Sequence, residues 1–206
     1  MKKVAFSALT LGFAISTFAQ TEDNSKLKFG FNMGLNYSRL QTQKSFLTNA
    51  ESTHTSNNLG GRMGIVVDYN MAKHFSFSPK AEMSFNGGEI SIIKMGDQVK
   101  TYAVLPVTIE LSPHFNYKAK AGKSTPYILL GPCFKIPLID KKAATPQMTH
   151  SSDVAIDFGI GFDEILPSFN FAPELRYSYG LMNLSSVDAI SKLHFHSISV
   201  LFHFKG

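Results

Sequence analysis

Between residues 29 and 38 the chain alternates without a break. Phe29, Phe31, Met33, Leu35 and Tyr37 interleave with Gly30, Asn32, Gly34, Asn36 and Ser38. A period of two belongs to an extended strand, whose successive side chains point to opposite faces. The pattern returns at Val154, Ile156, Phe158, Ile160 and Phe162 against Asp153, Ala155, Asp157, Gly159, Gly161 and Asp163. It returns again at Phe169, Phe171, Pro173, Leu175, Tyr177 and Tyr179 against Asn170, Ala172, Glu174, Arg176 and Ser178. One face is greasy and the other is small, polar and sparsely charged. That division suits a barrel that is apolar toward lipid and polar within. A soluble eight-stranded barrel of the lipocalin kind would bury the apolar face and turn its charges outward.

The N-terminus reads as an export signal. Lys2 and Lys3 precede a mostly apolar stretch, Val4 to Ile15, that is too short to span a bilayer. Thr17 and Ala19 put small residues where a signal peptidase requires them, so residues 1–19 are excluded from the fold and residues 20–206 form one domain. No later stretch is apolar for the length of a membrane helix, so a spanning chain must close as a barrel. The formal charge of +5 includes both signal lysines, and what remains is too weak, without any motif, to indicate nucleic acid. Charged residues are only 17% of the chain, which fits a surface facing largely lipid. Cys133 is the single cysteine, so there is no internal disulfide framework.

Eight strands are predicted, near 28–40, 58–69, 75–86, 99–117, 125–137, 152–163, 169–179 and 193–204. The fold class is therefore all-β: an eight-stranded antiparallel transmembrane β-barrel with a side-chain-filled lumen. The fourth strand would turn Ala103, Leu105, Val107, Ile109 and Leu111 outward. The fifth is apolar on both faces. Turning Ile128, Leu130, Phe134 and Ile136 outward brings Gly131 and Lys135 inward, at odds with an outward Tyr127. Long connections at 41–57, 87–98, 138–151 and 180–192 alternate with short ones at 70–74 and 164–168. Outer-membrane barrels carry long outer loops and short periplasmic turns, which would put both termini in the periplasm. Phe29, Tyr69, Phe75, Tyr117, Tyr127, Phe162, Phe169 and Phe204 fall at the same end of the strands and predict an aromatic girdle built without Trp.

The inward faces carry Arg62, Lys80 and Arg176 with Glu82, Glu110, Asp157 and Glu174. An eight-stranded barrel is filled by side chains, so these seven are expected to pair as a lumen charge network rather than line an ion path. The turn after the fourth strand concentrates Lys118, Lys120 and Lys123. It reads either as a solvated turn or as a docking point for an acidic periplasmic partner. Catalytic signals are poor. Gly122-Lys123-Ser124 ends like a phosphate-binding loop, but Tyr117 stands where the first glycine is required. His194 and His196 could share a metal, yet no third ligand accompanies them. No serine sits in a nucleophile-elbow setting, and Cys133 reads as a small packing residue. The expectation is a non-enzyme with no catalytic residues, no metal and no cofactor.

The run GIGFDEILPSFNFAPELRYSYGLMNL at 159–184, with LPVTIEL at 105–111 and PYILLGP at 126–132, resembles the PorT-like outer-membrane β-barrel family of type IX secretion. The resemblance implies residence in the outer membrane of a Gram-negative bacterium and a part in protein transport, including motility adhesins where the cell glides. Its implied partners are outer-membrane lipid and other secretion-system subunits. It brings no catalytic residues. Two further readings stand beside it: a structural or adhesive barrel acting through its outer loops, and a lipid-modifying enzyme with chemistry at the outer rim.

Overall fold

The computed structural model describes residues 26–44, 50–56, 58–86, 88–94, 100–119, 124–138, 152–185 and 190–206. The signal segment expected at 1–19 lies outside them. The described residues form eleven strands and no helix: β1 Leu27–Lys44, β2 Ala50–Ser56, β3 Leu59–Asn70, β4 Phe75–Phe85, β5 Glu89–Lys94, β6 Lys100–Ala103, β7 Val107–Lys118, β8 Ser124–Pro137, β9 Asp153–Ile165, β10 Asn170–Gly180 and β11 Ile190–Lys205. Eight close into an antiparallel barrel in the order β1-β11-β10-β9-β8-β7-β4-β3, with β3 returning to β1. Closure removes the sheet edges whose free backbone groups hydrocarbon could not satisfy. The termini meet at one end, where Phe29 and Gly206 exchange backbone hydrogen bonds of 3.2 and 2.8 Å. The β3–β4, β7–β8 and β9–β10 connections share this terminal end. The longer connections share the opposite, loop end.

The alternation behaves as a lipid-facing wall requires. Leu35, Ile65, Leu130, Phe158 and Ile160 are exposed, whereas Asn32, Asn36, Ser78, Glu110 and Arg176 are buried. On β8 Ile128, Leu130, Phe134 and Ile136 face out, while Tyr127, Leu129, Cys133 and Lys135 are buried within. Tyr127 is therefore not a girdle residue. Phe29, Tyr69, Phe75, Tyr117, Phe162 and Phe169 are exposed near the terminal end, and Phe204 is partly covered by stacking on Phe31 at 4.9 Å.

Two departures occur at the loop end. The strand expected over 99–117 is broken into β6 and β7. Leu105 adopts a φ of 48°, and Pro106 lacks the N–H a ladder needs. Leu105 accordingly turns inward and is buried, not outward as alternation alone predicts. The connections expected as loops also contain structure. β2, β5 and β6 form their own three-stranded antiparallel sheet in the order β2-β5-β6.

The polarity of the wall inverts there too. Up to Ser38, β1 is apolar outside and polar inside. Beyond it, Leu40 is buried while Arg39 and Gln41 are exposed. On β11 Ile198, Val200 and Phe202 face out. Toward the loop end, Phe195 and Leu193 are buried inside and Lys192 is exposed. An apolar interior with a polar exterior is the arrangement of a barrel in water. The inversion therefore marks where the wall leaves hydrocarbon.

Candidate functional site in the barrel lumen

Each strand parity brings its polar side chains to the axis, and the barrel is narrow enough for them to meet across it. The seven charges expected in the lumen form one connected network. Arg62 lies between Glu82 and Glu110, with nitrogen–oxygen distances of 3.2 and 3.0 Å. Arg176 donates Nη1 and Nη2 to Glu82 at 2.7 and 3.2 Å, and Nε and Nη2 to Glu174 Oε1 at 2.9 and 2.7 Å. It also approaches Asp157 at 3.8 Å. Lys80 donates to both oxygens of Glu174, at 3.0 and 2.8 Å.

Further partners complete the network. Asn32 donates to Glu82 Oε1 at 2.6 Å, and Thr108 and Cys133 donate to Glu110 at 3.0 and 3.4 Å. His114 Nε2 lies 3.0 Å from Asp157 Oδ2, and His203 Nε2 lies 3.2 Å from Glu174 Oε2. Every carboxylate in this tier therefore has two or more partners. A buried charge without a partner is strongly destabilising, and this arrangement leaves none of the four acids alone.

Tyr127 joins the same centre by a particular route. It stands directly opposite Gly161 across the β8–β9 ladder, and Gly161 stands opposite Glu174 across β9–β10. A Cβ on Gly161 would collide with the end of the Tyr127 ring. The missing side chain lets the phenol cross β9 and donate to Glu174 Oε2 at 2.9 Å. The ring is inside because it has a floor to lie on and an acid to reach.

A second tier lies at the terminal end. Lys118 Nζ donates to Asp68 at 3.1 Å, Asn70 at 3.1 Å and Asp163 at 3.4 Å. Lys205 Nζ donates to the same two carboxylates at 3.1 and 3.2 Å. This corrects the reading of Lys118 as part of a free basic turn. It is the last residue of β7, it points inward by parity, and its charge is engaged by two acids. Lys120 and Lys123 lie outside the described residues.

The third tier is apolar. Leu40, Ile90, Val104, Leu105, Leu184, Leu193 and Phe195 form a buried cluster at the loop end, drawing on β1, β5, β11 and the segments beside β6 and β10. Below it the Lys135 ammonium sits 4.7 Å from the centre of the Phe195 ring. Sequence reasoning missed this cluster because Ile90 and Leu184 come from connections read as loops, and the others sit at predicted strand ends where the polarity of the faces inverts. It also left His114 and His203 out of the network, although parity put His203 on the inner face and His114 carries the same signal. His194 and His196, weighed as a metal pair, lie on the outer face with ring centres 6.4 Å apart. Among the described residues no group of three or more His, Cys, Asp or Glu could hold a metal ion.

Three solved structures are similar to this chain over most of its length. OprG of Pseudomonas aeruginosa is 13% identical over 87% of this chain and 95% of its own, with a TM-score of 0.50. Neisserial surface protein A is 12% identical over 88% of this chain and 98% of its own, with a TM-score of 0.48. Ail, the attachment invasion locus protein of Yersinia pestis, is 11% identical over 88% of this chain and all of its own, with a TM-score of 0.41. Comparison with curated proteins returns no match. The family described as outer membrane protein beta-barrel domain matches residues 18–186. This chain belongs to that family, a small β-barrel of the outer membrane.

Proposed function

We propose that this barrel works without chemistry of its own, as an accessory or assembly subunit of an outer-membrane protein secretion machine of the type IX class. The observation that carries the reading is the filled interior. Ion pairs occupy its centre and terminal end, and the apolar cluster occupies its loop end. Cargo must then pass elsewhere, because the lumen is taken up by its own side chains. The ends and outer wall are left for contact with partners. The choice of secretion class rests on the resemblance of residues 159–184 to PorT-like proteins. That run supplies Asp163, Glu174 and Arg176 to the interior and Leu184 to the apolar cluster. The short connections at the terminal end support termini in the periplasm.

The test is deletion of the gene, followed by comparison of secreted and periplasmic proteins. Retention of a defined set of exported proteins in the periplasm, reversed by the intact gene, is the expected result. An unchanged secreted proteome overturns the reading. The β2-β5-β6 sheet favours one competing function, a structural or adhesive barrel that presents this ordered surface beyond the wall. Under that function, cells lacking the protein secrete normally and adhere less.

A further inference from the structure

We infer that the outer wall of β1 and β11, at the level where polarity inverts, is a binding site for the phosphate-bearing headgroup of an outer-leaflet lipid. The antiparallel register places Arg39 opposite His196, Gln41 opposite His194 and Gln43 opposite Lys192. Tyr179 stands opposite His196 from the other side, on β10. Directly opposed side chains on one face of a sheet are contact neighbours. Arg39, Lys192, His194 and His196 therefore form one patch across two strands, with tyrosines at its flank. Tyr179 lies 4.7 Å from the His196 ring, and the Tyr177 ring is stacked on it at 6.2 Å.

Three observations point to an anionic ligand at this place. First, the patch carries cations and no acids. Among the described residues, no Asp or Glu lies on the outer face of β1, β10 or β11. Second, among the described residues it is confined to one side. At the same end the other strands present Leu59, Phe85, Val107, Ile136 and Ile156 outward. A ring of cations serving only as a general anchor would not be gathered on one strand pair. Third, two donors or acceptors are poised there without partners. Nδ1 of His196, which is only 3% exposed, and Nδ1 of His194 have no hydrogen bond among the described residues.

The height is also right. Tyr37 and Ile198 are the last lipid-type residues on their outer faces, and Arg39 and His196 follow immediately. From Arg39 to Gln43 the strand climbs about 13 Å, less after tilt, which spans a headgroup layer and not the hydrocarbon. Arg offers a fork of donors that matches phosphate, and Lys adds a point charge. Basic clusters at the membrane edge are a recognised basis for selecting anionic lipids.

This inference rests on the orientation proposed above, with the loop end outward, so that orientation is read separately. A Met182→Cys variant should react with a membrane-impermeant thiol reagent on intact cells, since Met182 is exposed at the loop end and Cys133 is buried. The binding test uses native mass spectrometry of the full barrel with three probes: a bis-phosphorylated lipid A, its dephosphorylated form and inorganic phosphate. The protein should retain the phosphorylated lipid at least tenfold better than either of the others. Arg39→Gln with Lys192→Gln should abolish that preference while leaving gel mobility of the folded form unchanged. His194→Gln with His196→Gln, which keeps the charge of Arg39 and Lys192, should weaken it less. Equal retention of phosphorylated and dephosphorylated lipid overturns the inference. So does a preference unchanged in the Arg39/Lys192 variant, or inorganic phosphate binding as well as the lipid. These outcomes do not depend on secretion, so a failed secretion assay leaves them readable.

Discussion

Arg176→Met should be among the most damaging single changes in this barrel. The guanidinium holds Glu82 with two hydrogen bonds and Glu174 with two more, and stands 3.8 Å from Asp157. Methionine fills much of the same space with a flexible, unbranched chain, so the change removes charge more than volume. The acids are not stripped entirely. Glu82 keeps Arg62 and Asn32, Glu174 keeps Lys80 and Tyr127, and Asp157 keeps His114. The cost should therefore resemble one broken buried pair rather than two, about 3–5 kcal/mol. Urea titration of the barrel in detergent, read by the mobility of unboiled samples, measures it. Adding Glu82→Gln removes one of the acids that Arg176 leaves behind. The double variant should then lose less than the sum of the two single losses, by about 0.5–3 kcal/mol. A wild-type urea midpoint for Arg176→Met would refute the idea that the network braces the barrel. If secretion were lost at the same time, Arg176 would have a direct role in transport.

Two further changes probe the other parts of the interior. Gly161→Val should destabilise the barrel by about 1–3 kcal/mol through overpacking, because the new side chain meets the Tyr127 ring and the Pro173 carbonyl oxygen. Combining it with Tyr127→Ala should recover part of that loss in the same urea assay, which a purely backbone effect would not allow. Lys118→Ser should lower stability by about 1–3 kcal/mol, the range for hydrogen bonds to charged groups, since it leaves Asp68 and Asp163 to Lys205 alone. A Lys118→Ser barrel with an unshifted midpoint but poorer secretion would restore the docking role for that residue.

What could be read from the sequence follows from how strictly lipid constrains a strand. A wall residue must be apolar, so parity on β1, β4, β9 and β10 assigned faces correctly. It also carried Arg62, Lys80, Glu82, Glu110, Asp157, Glu174 and Arg176 inward without any knowledge of their partners. Tyr127 was misread because position near a strand end was taken as sufficient for a girdle. The gap that admits its ring is made by Gly161 on the neighbouring strand, thirty-four positions along the chain. Leu105 was misread because alternation was continued through Pro106, where the ladder cannot continue. The strands β2 and β5 were hidden by the assumption that long connections lack structure, although Ile90, Ile92 and Ile93 carry strand-forming side chains, while β6 was read as the start of the fourth strand. Lys118 shows a subtler error. A lysine next to a turn looks solvated, yet its parity with His114 and Asn116 turned it toward two acids.

The two kinds of interior answer two different requirements. Filling a lumen with ion pairs gains little over filling it with apolar side chains of similar volume. Its advantage is in what it forbids. A strand that slips by one residue sends its whole inner set outward. For β10 that would put Glu174 and Arg176 into hydrocarbon, and an Arg at the bilayer midplane costs about 2–4 kcal/mol. If both faces were apolar, neither register would be penalised. A charged lumen thus helps fix which face meets lipid wherever the outside is hydrocarbon. Beyond Ser38 and Ile198 the outside is no longer hydrocarbon, and the reasoning reverses. There Leu40, Leu193 and Phe195 turn inward with Ile90, Val104, Leu105 and Leu184, while Arg39 and Lys192 turn outward. The same strands obey the membrane rule below that level and the water rule above it. The change of rule lies where the histidine–tyrosine–arginine patch sits on the wall. A headgroup layer is the one environment in which that patch touches neither hydrocarbon nor open water.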